Sequence, residues 1–335
     1  MSFSDILGQA NAVNQIKTYI REGRLEGGYL FTGPEGVGKK TFALTIAKAL
    51  NCHVSESEPC ENCASCAKIN SGQHPDIHLI NADTPVADEL KEGNSDSGPT
   101  DALKIGHVRQ LQKDISLRPY EAKRKVFIID SAHNLTAAAS NALLKILEEP
   151  PKSSLIILVT DKPGRLFKTV VSRCKIVKFP ALKRSELEGV LNKAYGLDLD
   201  YAHFLAYFSE GRIGKALSLK DSDILREKNA VIDNLASGRR MDIDGTVFKD
   251  REAVRGYLNI LAAWLRDIYL IKTGMSEQEA VNLDRTGELS LRARELTFVQ
   301  LDAAIDAVSD SIAYLERNIN TRLLLLNLGA CLWKV

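Results

Sequence analysis

Two glycines and a lysine stand near the start of the chain at the spacing of a phosphate-binding loop. Residues 33–41 read GPEGVGKKT, and the first seven of them fit the pattern G-x-x-x-x-G-K. In such a loop the glycines let backbone N–H groups surround phosphate oxygens, and the lysine adds a positive charge. A glycine-rich turn between a strand and a helix, without a ligand, is the alternative. The residues expected to face a nucleotide are Gly33, Gly36, Gly38, Lys39, Lys40 and Thr41.

The positions that hold magnesium in such sites are changed in this chain. The pattern usually continues with a serine or threonine hydroxyl for Mg²⁺, but Lys40 stands there and Thr41 follows about 100° further around the helix. Asp130 comes directly after an apolar run and is the candidate second magnesium ligand, unless it only ends a strand. Ser131 occupies the position of the glutamate that activates water in many such ATPases, and its hydroxyl is not a base at neutral pH. We therefore expect a degenerate site in which ATP binding is weak or absent.

Four of the six cysteines form a second candidate site. Cys52, Cys60, Cys63 and Cys66 follow the pattern C-x7-C-x2-C-x2-C. Four thiolates match a tetrahedral structural Zn²⁺ site with no open position for water. An iron–sulfur cluster is the main rival, but the ferredoxin pattern continues x3-C-P and this one does not. His53 is an alternative to Cys52 that four cysteines make unnecessary.

The elements that must position these groups alternate between strands and helices over the first 180 residues. Short continuous apolar runs predict buried strands at Gly27–Thr32, Ile77–Ile80, Val126–Ile129, Leu155–Val159 and Ile176–Val177. Helical spacing of apolar residues predicts helices at Thr41–Asn51, Ile105–Ser116 and Thr136–Glu149. This alternation is typical of an α/β domain with a parallel sheet.

After Pro180 the strand signals end and only helical patterns follow. They predict helices at Arg184–Tyr195, Tyr201–Ser209, Ile224–Ala236, Arg251–Thr273, Phe298–Arg317 and Asn320–Trp333. One earlier stretch, Asp83–Asp101, is acidic and poor in apolar residues, so we expect a surface insertion there and assign it no chemistry.

Charge and hydropathy exclude several classes of protein. The 335 residues include 44 Lys and Arg against 43 Asp and Glu, a formal net charge of +1. No overall excess of positive charge therefore draws the chain to DNA or anionic lipid. No apolar run approaches the roughly 18 residues of a membrane span, and the first residues lack a secretory signal. We expect a cytoplasmic protein whose nucleic-acid contacts, if any, are local.

Several segments together resemble bacterial DNA polymerase III clamp-loader subunits of the AAA+ class. They are ILGQ at 6–9, GPEGVGKKT at 33–41, the four cysteines, HPD at 74–76, NALLKILEEPP at 141–151 and SRC at 172–174. The resemblance is strong over residues 1–180 and architectural beyond. It implies an AAA+ nucleotide-binding-type α/β domain at 1–180 with an inserted zinc module at 52–66, a small helical lid domain at 181–220, and an all-α collar domain for oligomerisation at 221–335.

The resemblance also gives Arg173 a role. In this family the SRC arginine reaches the ATP site of the neighbouring subunit, where a guanidinium stabilises charge on the transferring phosphoryl group. The motor subunits, gamma and tau, carry a threonine, a glutamate and a sensor arginine where this chain has Lys40, Ser131 and Gly214. The resemblance therefore implies the stator of a pentamer. Its expected partners are the gamma/tau and delta subunits, with the sliding clamp and primer–template DNA reached through the assembled complex.

Two other functions remain open at this point. The chain could be an ATP-hydrolysing motor subunit of the same complex, or a DNA-binding ATPase whose cysteine module is a zinc ribbon. The second is disfavoured because the segment from Cys52 to Lys68 contains one lysine besides His53, too little charge to neutralise several phosphates.

Overall fold

The computed structural model describes residues 2–55, 57–86, 101–236, 251–317 and 319–332. The chain divides into two compact units, Met1–Lys183 with Gly211–Lys215 and Arg184–Glu210 with Ala216–Val335. The expected division into domains at 1–180, 181–220 and 221–335 stays a prediction. Most of the acidic stretch 83–101, and Trp333, lie outside the described residues.

A five-stranded parallel sheet forms the centre of the first unit. Its strands are β1 (Gly27–Thr32), β2 (Ile77–Ile80), β3 (Lys125–Ile129), β4 (Ser154–Thr160) and β5 (Lys175–Lys178), in the spatial order β2-β3-β4-β1-β5. Leu30 in β1 lies opposite Leu158 in β4 and Ile176 in β5. The predicted parallel α/β fold and all five predicted strands are confirmed, with ends that differ by at most one residue.

The described residues of the first unit also contain six complete helices and the start of a seventh. They are α1 (Ala10–Arg21), α2 (Lys39–Asn51), α3 (Ala64–Asn70), α4 (Ile105–Ser116), α5 (Ala137–Glu148), α6 (Lys168–Val171) and α9 (Ile213–Lys220), whose last five residues belong to the second unit. Side chains on each strand alternate between two apolar clusters: Phe31 joins a cluster with α1 and α2, whereas Leu30 joins one with α4, α5 and α6. The sheet is thus buried on both faces, which is why its strands read as continuous apolar runs.

The second unit is helical throughout its described residues. Besides the end of α9 it contains α7 (Arg184–Tyr195), α8 (Leu199–Ser209), α10 (Ile224–Ala236), α11 (Arg251–Lys272), α12 (Thr286–Glu295), α13 (Phe298–Glu316) and α14 (Thr321–Leu332). The expected helices of this region are confirmed within the described residues, whereas α9 and α12 were not predicted. None of the helices in the described part of the chain is long and apolar enough to cross a membrane.

Candidate functional site

The phosphate loop connects the end of β1 to the start of α2, as its sequence predicts. Phe31, the penultimate residue of β1, packs its ring 5.7 Å from Phe42 in α2 and 5.0 Å from Phe179. Gly33, the first residue of the loop, packs directly against the backbone of Phe179. A Cβ at this position would lie 2.0 Å from the carbonyl oxygen of Phe179. Any side chain at this position would displace the strand end, so the glycine is required by close backbone approach.

The loop lysine is folded back into its own loop. Nζ of Lys39 donates hydrogen bonds to the carbonyl oxygens of Gly33 at 2.5 Å and Pro34 at 2.6 Å, and the residue is 7% exposed. Burial lowers the pKa of Lys39, and the charges of Asp161 and Asp130 oppose that shift. A phosphate group would therefore have to replace the two carbonyl oxygens as the partner of this ammonium.

Lys40 occupies the neighbourhood in which magnesium would be needed. Its Nζ lies 3.3 Å from Oδ2 of Asp130, which follows β3. Mg²⁺ requires oxygen ligands at about 2.1 Å in an octahedron, and an ammonium both withholds an oxygen and neutralises the carboxylate. Ser131 adds no base: it has a left-handed backbone with φ of 52°, and its N–H donates to Oδ1 of Asp130 at 2.9 Å. These residues do not fit a bound Mg²⁺.

A cleft of about 1200 Å³ opens beside the phosphate loop. Its lining includes Gln9, the loop residues 33–35, Phe179 and Arg212. Nε2 of Gln9 donates to the carbonyl oxygen of Pro180 at 2.8 Å, which fixes the amide orientation, and Oε1 is buried without a hydrogen-bond partner among the described residues. The cleft is large enough for a nucleoside, since ligand pockets typically enclose about 300–1000 Å³.

Gly214, the position that the clamp-loader resemblance equates with the sensor arginine of motor subunits, lies directly on the phosphate loop. Its N–H donates to the carbonyl oxygen of Gly36 at 2.7 Å. A Cβ at Gly214 would lie 2.8 Å from that same oxygen. The backbone of the segment 211–215 therefore takes the space in which a side chain at 214 would have to begin.

The four clustered cysteines meet in space, as their spacing predicts. Their sulfur atoms all lie within 4.8 Å of one another, close to the separation of roughly 3.8 Å implied by tetrahedral Zn–S bonds of about 2.3 Å. Cys52 caps the end of α2 and Cys66 lies in α3. The N–H of Ser55 points to Sγ of Cys52 at 3.4 Å, and that of Cys63 to Sγ of Cys60 at 3.3 Å.

The thiol chemistry of this cluster also fits a divalent cation. Burial would raise the pKa of the Cys63 thiol, but backbone N–H groups of Cys66 and His53 lower it to about 6. Burial, with the neighbouring Cys63, raises the pKa of Cys66 to about 12. Without a cation the four sulfurs cannot all carry negative charge at neutral pH, whereas Zn²⁺ binds thiolates. Four ligands close the coordination sphere, so Zn²⁺ would support the fold here and catalyse nothing.

Buried polar contacts attach the cysteine module to α2. Nζ of Lys48 lies in the interior and donates to Oε1 of Glu61 at 2.6 Å and Oδ1 of Asn70 at 3.0 Å. Nζ of Lys123 donates to the carbonyl oxygen of Cys52 at 2.7 Å. These cations bond to the protein itself, which argues against a zinc ribbon that contacts DNA.

The carboxylate of the HPD segment organises the chain before β3. Asp76 is 1% exposed and accepts hydrogen bonds from the backbone N–H groups of Tyr120, Glu121 and Ala122 at 2.8–3.0 Å. Burial alone would raise the pKa of Asp76, but these N–H groups outweigh it and hold the pKa below its ordinary value. The Asp76 carboxylate therefore has a structural role.

Arg173 lies at the other end of the sheet from the phosphate loop. It stands in the turn between α6 and β5, and a Cβ on Gly28, near the start of β1, would lie 3.5 Å from its carbonyl oxygen. The loop begins at Gly33, five residues further along β1, or about 17 Å at 3.3 Å per residue. The sheet therefore brings the loop residues and Asp130 together and keeps Arg173 apart from them.

The Arg173 guanidinium is already bound on one side. Nε donates to Oε1 of Glu148 at 2.8 Å, Nη2 lies 2.7 Å from the same oxygen, and Nη1 donates to the carbonyl oxygen of Thr169 at 2.9 Å. Glu148 lies within NALLKILEEPP and Gln9 within ILGQ, but neither motif indicated a role for its residue, and Asp161 beside the loop was not predicted. Membership of a motif could have identified Gln9 and Glu148. The position of Asp161, directly after an apolar strand, could have identified that residue.

Comparison with known proteins shows the family of this chain. A family model described as "DNA polymerase III, delta subunit" matches residues 8–183, and its C-terminal counterpart matches residues 231–328. DNA polymerase III subunit delta' of Bacillus subtilis is 30% identical over 94% of this chain and 93% of its own length. DNA polymerase III subunit tau of the same organism is 32% identical over 69% of this chain, which spans 40% of tau.

A solved structure of a DNA polymerase III gamma-subunit-related protein of Thermotoga maritima aligns with 96% of this chain and 99% of that one, at 16% identity and a TM-score of 0.41. The family model and the delta' relative settle the assignment, since together they extend over the phosphate loop, the cysteine cluster, the SRC turn and the helical unit. The chain belongs to the DNA polymerase III delta-subunit family, as the clamp-loader resemblance of its motifs predicted.

Proposed function

We propose that this chain is a delta-prime-like stator of the DNA polymerase III clamp loader that supplies Arg173 to the ATP site of a neighbouring motor subunit. The location of Arg173 supports this most strongly. Its side chain is 35% exposed, and its backbone lies at the end of the sheet opposite the chain's own phosphate loop. An arginine placed there cannot serve its own loop but is available to a site on another subunit.

A stator subunit does not hydrolyse ATP itself, and the changed phosphate loop supports this part of the proposal. The Lys40–Asp130 pair stands where magnesium would bind, and Ser131 provides no base. The cleft beside Gln9 still allows weak binding of ATP. A motor subunit would need both the metal and a group that activates water.

The same proposal names partners, compartment and metal. The neighbours are gamma/tau and delta, and the sliding clamp and primer–template DNA are engaged by the assembled complex in the cytoplasm. Residues 181–220 act as a lid and residues 221–335 as the collar through which the pentamer assembles. The four clustered cysteines hold one structural Zn²⁺.

Reconstitution of the complex tests this function. Arg173→Ala should lower the DNA-stimulated ATPase rate while native mass spectrometry still finds a pentamer with one copy of this chain. Lys168→Ala, an exposed cation at the start of α6, is the matched control and should leave the rate unchanged. An unchanged rate with Arg173→Ala would contradict the proposal.

The purified chain alone separates the stator from a motor. We expect no Mg²⁺-dependent ATP hydrolysis from it. Turnover that disappears with Lys39→Ala would instead identify a motor subunit. Salt-dependent binding of DNA by the isolated chain would favour the zinc-ribbon alternative.

A further inference from the structure

We infer that Glu148 is a positioning residue for the arginine that this subunit presents to its neighbour, an inference that rests on the proposed function of Arg173. Glu148 is the last residue of α5, and Arg173 stands in the turn after α6. Side chains 25 positions apart in the sequence are thus brought together by the packing of two helices.

The geometry of the pair leaves the far side of the guanidinium available. Nε and Nη2 both lie within 2.8 Å of one carboxylate oxygen, Oε1 of Glu148, and Nη1 donates to the carbonyl oxygen of Thr169. A guanidinium has five N–H donors. Three are engaged by these contacts, which leaves one on each terminal nitrogen to meet phosphate oxygens of another subunit.

Ordering the side chain in advance matters for a residue that must act across an interface. A free arginine samples many rotamers, and this freedom is lost when the guanidinium meets a phosphate. Glu148 and Thr169 restrict the rotamers before the neighbour arrives, so less freedom is lost at the transition state. The Arg173 backbone is fixed as well, because Arg173 N–H donates to the Val170 carbonyl at 3.2 Å and the adjacent Cys174 packs against the apolar cluster of α5 and α6.

The adjacent glutamate makes a matched control available. Glu149 follows Glu148 directly, and within the described residues its side chain makes no hydrogen bond to Arg173. Glu148→Gln is a second informative variant, since both bonds from Arg173 to Glu148 end on a single acceptor oxygen that glutamine also offers.

The test uses the reconstituted complex with saturating primed DNA. Glu148→Ala should lower kcat for ATP about fivefold, with KM and pentamer mass unchanged, because the position of the guanidinium affects the transition state. Glu148→Gln should stay within about twofold of wild type, and Glu149→Ala should equal wild type. In an Arg173→Ala background, Glu148→Ala should have no further effect.

The other possible results contradict either the role of Glu148 or the proposed function of Arg173. If Arg173→Ala lowers kcat but Glu148→Ala does not, Glu148 does not position the arginine. If Glu148→Ala lowers kcat equally with and without Arg173, it acts through the general structure, and the inference is wrong. If Arg173→Ala itself has no effect, the proposed function fails and this inference fails with it.

Discussion

The ammonium nitrogen of Lys40 lies 3.3 Å from Oδ2 of Asp130, across the mouth of the phosphate loop. Lys40 stands where the phosphate-loop pattern has a hydroxyl for Mg²⁺, and Asp130 is the candidate for the carboxylate that would help to hold it. The ammonium supplies positive charge at this point without offering a ligand. The ammonium group of Lys40 therefore takes the place that an exchangeable Mg²⁺ would have in this site.

This pair predicts how nucleotide binding responds to magnesium. Wild-type chain titrated with a fluorescent ADP analogue should bind equally weakly in Mg²⁺ and in EDTA. Lys40→Thr restores the hydroxyl and frees Asp130, so Mg²⁺ should then increase the affinity about tenfold, or about 1.4 kcal/mol. Lys168→Thr makes the same exchange at an exposed lysine of α6, away from the loop, and should behave as wild type. A wild-type affinity that depends on Mg²⁺ would show that Lys40 does not replace the metal.

The cysteine cluster predicts about one Zn²⁺ per purified chain. Cys63→Ser should remove most of the metal and lower the thermal midpoint by several degrees, because binding of a structural metal contributes to folding. Zinc content by elemental analysis and thermal unfolding measure both effects. Cys331→Ser, an exposed cysteine outside the cluster, should change neither. Full stability in Cys63→Ser, or iron in place of zinc, would be contrary to this assignment.

Asp76 predicts acid sensitivity of the first unit. Asp76→Ala leaves three backbone N–H groups without their acceptor and should lower the free energy of unfolding by about 3 kcal/mol. Since the folded-state pKa of Asp76 lies below its unfolded value, its stabilisation is complete above that unfolded value of about 4 and is lost as pH falls through the folded pKa.

Urea unfolding followed between about pH 7 and pH 3 checks the Asp76 prediction. The wild-type curve should fall steeply at the acid end, and the Asp76→Ala curve should fall less. Asp101→Ala removes an exposed carboxylate and serves as the control. Equal acid sensitivity in the wild type and Asp76→Ala would mean that other carboxylates dominate.

The close approach of Gly214 to the phosphate loop predicts that a side chain at position 214 lowers the stability of the first unit. In Gly214→Ala the new Cβ would lie 2.8 Å from the carbonyl oxygen of Gly36, so the hydrogen bond between them must lengthen or break. We expect a loss of about 1–3 kcal/mol, seen as a lower thermal midpoint. Gly164→Ala, in the same unit with nothing within 4 Å of the added Cβ, should be nearly neutral. Equal midpoints for the two variants would rule out the close approach.

The strands of the sheet could be predicted from the sequence because burial on both faces makes each strand a continuous apolar run. Val126 and Phe127 point to opposite apolar clusters, so neither face needs polar residues. Helix α1 was missed although Val13, Ile16 and Ile20 are spaced for one helical face. Its mean hydropathy is low because most of its other residues are polar, so no continuous apolar run marks the helix. Helix α6 has four residues, too few for any periodicity.

The candidate sites were predicted in part for a similar reason. The phosphate loop and the cysteine cluster lie in short stretches of chain, so spacing alone identifies them. The bonds from Lys40 to Asp130 and from Glu148 to Arg173 join residues distant in sequence, and no local pattern predicts them. They depend on strand order and on the packing of α5 against α6.

The most direct test of the central claim is a pre-steady-state burst measurement on the reconstituted complex. Wild-type complex loaded with ATP is mixed with primed DNA, and the ATP hydrolysed in the first turnover is counted per pentamer. An arginine finger contributes about 10³–10⁵ in kcat to the site that it serves, so with Arg173→Ala that site should fall silent on this timescale. The burst should decrease by at least one ATP per complex, while Lys168→Ala retains the wild-type burst. An Arg173→Ala complex of unchanged mass with the full wild-type burst would contradict the claim that this subunit supplies the arginine.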